Sequence, residues 1–203
     1  MNLEFTAAQI VLWLLCALFF TMGGFVKGTM GVGLPLVVVP TLSLFIPAPQ
    51  AMGLLVVPVL ISNLWQALEG GNVRYSIRRF GSLILVQMAI TLLTVKYSSG
   101  LSVENLNLLI GVSLLVAVGW MSLKPNVHIP PKFEHIACVM VGALAGFMGG
   151  LSSLTGPFII TLLMALKLSR EQFIGSISIV YLAGSIPMYG AMLWYERFGW
   201  AEV

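Results

Sequence analysis

Long apolar runs separated by short polar breaks set the pattern of this chain. The first run covers about residues 7–26, the next about 32–46, ended by PAPQ, and the third about 51–68, closed by EGGNVRYSIRR. Two more lie at about 80–95 and 106–123, before the polar stretch KPNVHIPPKFEH near the midpoint. Beyond it come runs at about 136–148, 154–166 and 173–193, and then WYERFGWAEV. A helix needs about 20 apolar residues to cross a bilayer. The runs therefore predict an all-α polytopic membrane protein. Those at 32–46 and 154–166 are short, and each follows a cluster of glycines. They read either as crossing helices or as re-entrant hairpins.

The first cluster lies in GGFVKGTMGVGLPLVVVP, from Gly23 to Pro40, where helix breakers and one lysine interrupt apolar sequence. The second, AGFMGGLSSLTGP, has the same character. At an offset of 122 residues Cys16 falls on Cys138, Gly24-Phe25 on Gly146-Phe147, Gly28 on Gly150 and Pro35 on Pro157. Gln50 then falls on Gln172 and Gly53 on Gly175. Matches of glycine, proline and glutamine where a helix is broken point to an internal duplication. If every run crosses, an odd number of segments separates equivalent points, which inverts the second copy. The expected organisation is a first transmembrane repeat at 1–123, a connecting cytoplasmic loop at 124–135, and a second, truncated repeat at 136–203. The second copy has no counterparts of the fourth and fifth runs.

Composition narrows the class. Hydrophobic residues make up 59% of the chain and charged residues 8%, with a mean hydropathy of +1.01. That is far below the roughly one-quarter charged residues of a soluble domain. The net charge of +3 gives no nucleic-acid signal, and the basic residues matter through their positions. Arg74, Arg78 and Arg79 share one break, Lys124 and Lys132 another, and Lys167 and Arg170 a third, whereas PAPQ and YSSGLSVEN carry almost no positive charge. Cytoplasmic loops collect Lys and Arg. The basic breaks are expected inside, in a multi-pass protein of the inner (plasma) membrane. The N-terminus lacks the basic region of a cleavable signal peptide. Cys16 and Cys138, both in apolar runs, read as small hydrophobes.

In hydrocarbon a broken helix survives only where protein or a water-filled cavity covers its freed backbone groups. Transporters place such breaks at mid-membrane, with helix N-termini facing a substrate. The candidate substrate-binding residues are Lys27, Gly28, Thr29, Gly31 and Gly33 at the first break, and Ser152, Ser153, Thr155 and Gly156 at the second. Asn63 and Gln66, three apart in LISNLWQALEGG, join them. Each has a plainer reading. Lys27 can snorkel to the surface, Asn63 and Gln66 can brace helices, and Gly23, Gly24, Gly142 and Gly146 can serve helix packing. Tyr181 and Tyr189 are further candidates for lining a path. No strand precedes the glycines and no Gly-Lys-Ser/Thr triplet occurs, so this is not a phosphate loop.

GFVKGTMGVGLPLVVVPTLSLFIPAPQAM, then ISNLWQALEGG, and later GFMGGLSSLTGPFIITLLMAL resemble the sulfite exporter TauE/SafE family, the toluene sulfonate uptake permeases. The resemblance covers nearly the whole chain. It implies a membrane permease for a small anion, with sulfite, organosulfonates and related sulfur oxyanions as candidates.

The first functional reading is thus a secondary transporter, with the bilayer and a small anion as partners. A coupling proton or ion and self-assembly are further options. The alternative is a non-transporting membrane subunit or assembly factor of a larger complex. An enzyme is not expected. The histidines, His128 and His135, lie in or beside the midpoint break, which leaves Ser152 and Ser153 without an evident base. No cofactor or metal set is expected within the runs.

Overall fold

Glycine and proline decide where the helices stop. The computed structural model describes residues 7–31, 33–123 and 128–199. Its α-helices are α1 (Ala7–Met30), α2 (Leu34–Leu42), α3 (Ala48–Gly53), α4 (Val56–Gly70), α5 (Val73–Ser98), α6 (Val103–Ser122), α7 (Glu134–Ser152), α8 (Gly156–Ala165) and α9 (Arg170–Trp194). A 3-10 turn, Pro131–Phe133, leads into α7. Among the described residues, 6 helical stretches are long and apolar enough to span a membrane. These are Gln9–Thr29, Ala48–Gly70, Val73–Ser98, Val103–Ser122, Pro131–Ser152 and Arg170–Trp194. The chain is a polytopic all-α membrane protein.

The short runs become short helices. At 1.5 Å per residue α2 and α8 extend about 14–15 Å, half of the roughly 30 Å hydrocarbon thickness. Each follows a sharp reversal. Gly31 takes φ 77° and Gly33 φ 116°, and Ser153 takes φ 61°. A Cβ on Gly33 would also lie 2.8 Å from Val26, so only glycine fits there. Pro35 and Pro157 then sit in the first turns of α2 and α8, where a missing N–H costs nothing. The 122-residue offset holds for the backbone as well. It relates the ends of α1 and α7 (Met30, Ser152), the left-handed Gly31 and Ser153, and the starts of α2 and α8 (Leu34, Gly156). It also relates the starts of α3 and α9, Ala48 and Arg170.

Two expected boundaries moved. The run at 51–68 divides into α3 and α4 around Leu54–Leu55. The basic break RYSIRR lies within α5, which starts at Val73. The helix runs on from Val73 with a kink at Phe80 (φ −105°, ψ 15°), and Arg79 gains two partners there. It forms a forked bond to Glu134 of α7, at 2.5 and 2.9 Å, and donates to the Tyr75 hydroxyl one turn back. The start of α9 has a capping box, in which Ser169 and Gln172 satisfy each other's backbone N–H. Residues 124–127, the first third of the 124–135 connection with Lys124, lie outside the described residues.

α5, α7 and α9 form a parallel core. Gly142, Gly146 and Gly150 make a stripe on α7, and a Cβ on any of them would lie 2.6–2.7 Å from Leu83 O, Gln87 O or Thr94 Cβ of α5. Here the plain reading of Gly142 and Gly146 holds: they let two backbones meet. Ser76 faces Ser176 at 3.0 Å, and Gly184 leaves no room for a Cβ beside the Gln87 amide. Beyond α9, buried Arg197 donates to Gly150 O at 2.7 Å and to the Ser98 hydroxyl, tying the far ends of the core together. Burial pushes its guanidinium down to about 10, still charged at neutral pH. α4 runs against α9 in the opposite sense. Gly70 meets Gly175 at one end, and Val56 and Val59 pack in one cluster with Met188 and Met192 at the other.

Candidate functional site

Between the two breaks lies a cavity of about 70 Å³. Both reversals border it, through Gly33 and Pro35 on one side and Ser153 to Pro157 on the other. α4 contributes Val59 and Asn63, α5 contributes Gln87, and α9 contributes Tyr181, Ser185, Met188 and Tyr189. Gln87 fixes its depth. Arg79 and Ser98, which mark the two polar ends of α5, are about 28 Å apart along the helix, and Gln87 lies about 12 Å in from Arg79. By helix length, the cavity lies between the two polar ends of α5.

Lys27 enters from the last turn of α1 and is 6% exposed. Its Nζ donates to Asn63 Oδ1 at 2.5 Å. Asn63 is buried too, held on the inner face of α4. The amide oxygen is neutral, and an ammonium has three donors. Among the described residues the one ion pair is Arg79–Glu134, at the end of the core, so Lys27 has no carboxylate. An isolated buried cation is costly and calls for a counter-ion.

The polar groups around it are also unsatisfied. Gln87 Oε1, Ser153 Oγ and the hydroxyls of Tyr181 and Tyr189 are buried without a hydrogen-bond partner, and all four residues line this cavity. Ser153 lies beside Tyr189, yet the two hydroxyls do not close a bond of good geometry, so both stay available. Buried polar groups are nearly always paired. Four orphans around one cavity mark a place for a polar occupant, and a cation with hydroxyl donors suits an anion. The helix ends contribute less than the break motifs suggest. Each N-terminus, of α2 or α8, directly follows a C-terminus, of α1 or α7, so their opposite partial charges largely cancel at the cavity.

Of the residues singled out by the sequence, Lys27, Gly33, Asn63, Ser153, Thr155 and Gly156 line the cavity together, with Tyr181 and Tyr189 beside them. The rest stand outside the lining. Gly31 supplies the left-handed turn. Ser152 donates to Met148 O at 2.8 Å within α7. Gly28 is exposed, with open space where a Cβ would be. Thr29 is exposed and bonds back to Phe25 O and Val26 O. Gln66, one turn beyond Asn63, has its own buried, unpartnered Oε1. Sequence reasoning passed over Gln87 and Ser185. For Gln87 a signal existed: it is the one amide within the apolar run at 80–95.

No curated protein and no solved structure matches the chain. The profile of the family described as Sulfite exporter TauE/SafE matches residues 15–203, nearly the whole length. That span includes both breaks, Lys27 and every helix that borders the cavity. The family is one of membrane permeases for sulfite and related sulfur anions, not of enzymes. A buried lysine held by a neutral amide, among orphaned hydroxyls, fits that description, and the chain belongs to the sulfite exporter TauE/SafE family.

Proposed function

We propose that the chain is a secondary permease of the inner membrane that carries sulfite, an organosulfonate or a related small sulfur oxyanion through the cavity between its two breaks. The observation that carries this reading is Lys27, a buried cation inside the helical bundle whose one hydrogen-bond partner among the described residues is the neutral oxygen of Asn63. Intramembrane charges face pathways or partners because hydrocarbon does not tolerate them alone. A passing anion completes the pair, and the orphaned Ser153, Tyr181 and Tyr189 hydroxyls replace part of its water shell.

In this reading residues 1–123 and 136–203 are repeats of opposite orientation, and the cavity lies where they meet. The matched backbone of the breaks and the opposed directions of α4 and α9 support that arrangement. The basic start of α5 and the Lys167–Arg170 turn then face the cytoplasm.

The test is sulfite flux in proteoliposomes carrying the full chain. Wild type is expected to give saturable flux. Lys27→Gln, reconstituted to the same level, is expected to lose affinity by about 10- to 150-fold, the worth of a charge-assisted hydrogen bond of about 1.5–3 kcal/mol. A Lys27→Gln protein with wild-type affinity, or a wild type with no saturable flux, overturns the reading.

A further inference from the structure

The permease reading leaves open which charge state the cavity accepts, and the count of charges around it answers that. Among the described residues Lys27 is the one ionised side chain in the lining, and the titratable groups beside it are the phenols of Tyr181 and Tyr189, neutral in the physiological range. Among the described residues no arginine, histidine or carboxylate borders the cavity. The two helix N-termini are offset by the C-termini that precede them. The fixed charge facing an occupant is therefore one positive unit.

We infer, resting on the anion-permease reading, that the site selects singly charged anions and rejects doubly charged ones, so that the carried form of a dibasic acid is its protonated monoanion. A monoanion and Lys27 sum to zero in a buried, low-dielectric space. A dianion leaves one negative charge uncompensated there, with hydroxyls alone to replace its hydration. The remaining polar groups fit the same species. Ser153, Tyr181 and Tyr189 offer donors to the oxygens, and Gln87 Oε1 is a buried acceptor that lacks a donor. A hydrogensulfite-type ion still carries the proton that this acceptor requires. A sulfonate satisfies the charge without it.

Binding of three probes to the purified full chain in lipid nanodiscs, followed by calorimetry across the second ionisation of sulfite, tests this. The probes are sulfite, methanesulfonate (singly charged throughout) and sulfate (doubly charged throughout). The readout is each affinity relative to methanesulfonate at the same pH, so that titration of the protein itself cancels. Relative sulfite affinity is expected to fall about tenfold for each pH unit above that ionisation, because only the monoanion counts. Sulfate is expected to bind at least about a hundredfold more weakly than methanesulfonate. Sulfite affinity that holds or rises as its second proton leaves, or sulfate binding within tenfold of methanesulfonate, overturns the inference. Failure of all three anions to bind at any pH removes the anion-permease reading itself, and this inference with it.

Discussion

At the candidate site Lys27 and Asn63 form a buried pair. Their contact of 2.5 Å places a neutral oxygen where a counter-ion would otherwise sit. Asn63→Asp changes little in shape but installs a permanent carboxylate against the ammonium. It is expected to act as a built-in competitor and to weaken sulfite binding at least as much as Lys27→Gln, about 10- to 150-fold, with the fold intact. Calorimetric titration of Asn63→Asp with sulfite checks this, and unchanged affinity would show that Lys27 does not meet the anion. Part of the cavity was legible in the sequence. The lysine, the glycines and the Ser-Leu-Thr-Gly-Pro turn stand out because each is costly in hydrocarbon and so carries a local signal. Ser185 carries almost none, and Gln87 only its place as the one amide of its run. One amide in an apolar run gains meaning only when α5 and α9 bring it against a cavity, and periodicity does not report which helices become neighbours.

At the level of the element, glycines with the same local sequence character do two different jobs. Gly146 is packed so that a Cβ would lie 2.6 Å from Gln87 O, whereas Gly24, its partner at the 122-residue offset, has nothing within 4 Å. Gly146→Ala is expected to push α7 off α5 and to destabilise the protein by about 1–3 kcal/mol, the usual cost of overpacking. Gly24→Ala is expected to be neutral or slightly stabilising, since alanine is the better helix former. Thermal denaturation of both variants in the same detergent checks the pair, and equal shifts would contradict the packing described here. The breaks themselves were readable, because Pro35 and Pro157 mark helix starts by a local steric rule. The start of α5 was not. RYSIRR reads as a polar loop, and as helix it carries Arg79 to Glu134 of α7, a tertiary contact.

For the whole molecule, the arrangement of charge gives an orientation. The Asn72 side and the Gly100 side are opposite ends of α5, and both residues are exposed. Single cysteines at Asn72 and Gly100, in a background with Cys16 and Cys138 replaced, are expected to react with a membrane-impermeant thiol reagent from opposite sides of the membrane. Asn72 should label from the cytoplasm. Labelling of both from one side would refute the topology. The polytopic class followed from composition alone, because 8% charged residues cannot cover a water-facing surface. The register between the breaks was visible as scattered identities, and its extension to backbone angles at Gly31 and Ser153 needed coordinates.

The depth of the cavity has an electrical consequence. A site near the middle of the bilayer, reached from one face, lies across about half of the transmembrane voltage. Moving one charge through the full field is worth about 2.3 kcal/mol per 100 mV, so loading a single negative charge onto Lys27 from either side is worth about 1.1 kcal/mol per 100 mV. That shifts occupancy about sixfold over such a voltage. In the permease proposed above, an interior-negative cell would thereby drive the ion away from the cytoplasmic face and hold it more weakly against the outer one, so the position of Lys27 along α1 would set a voltage response as well as an affinity.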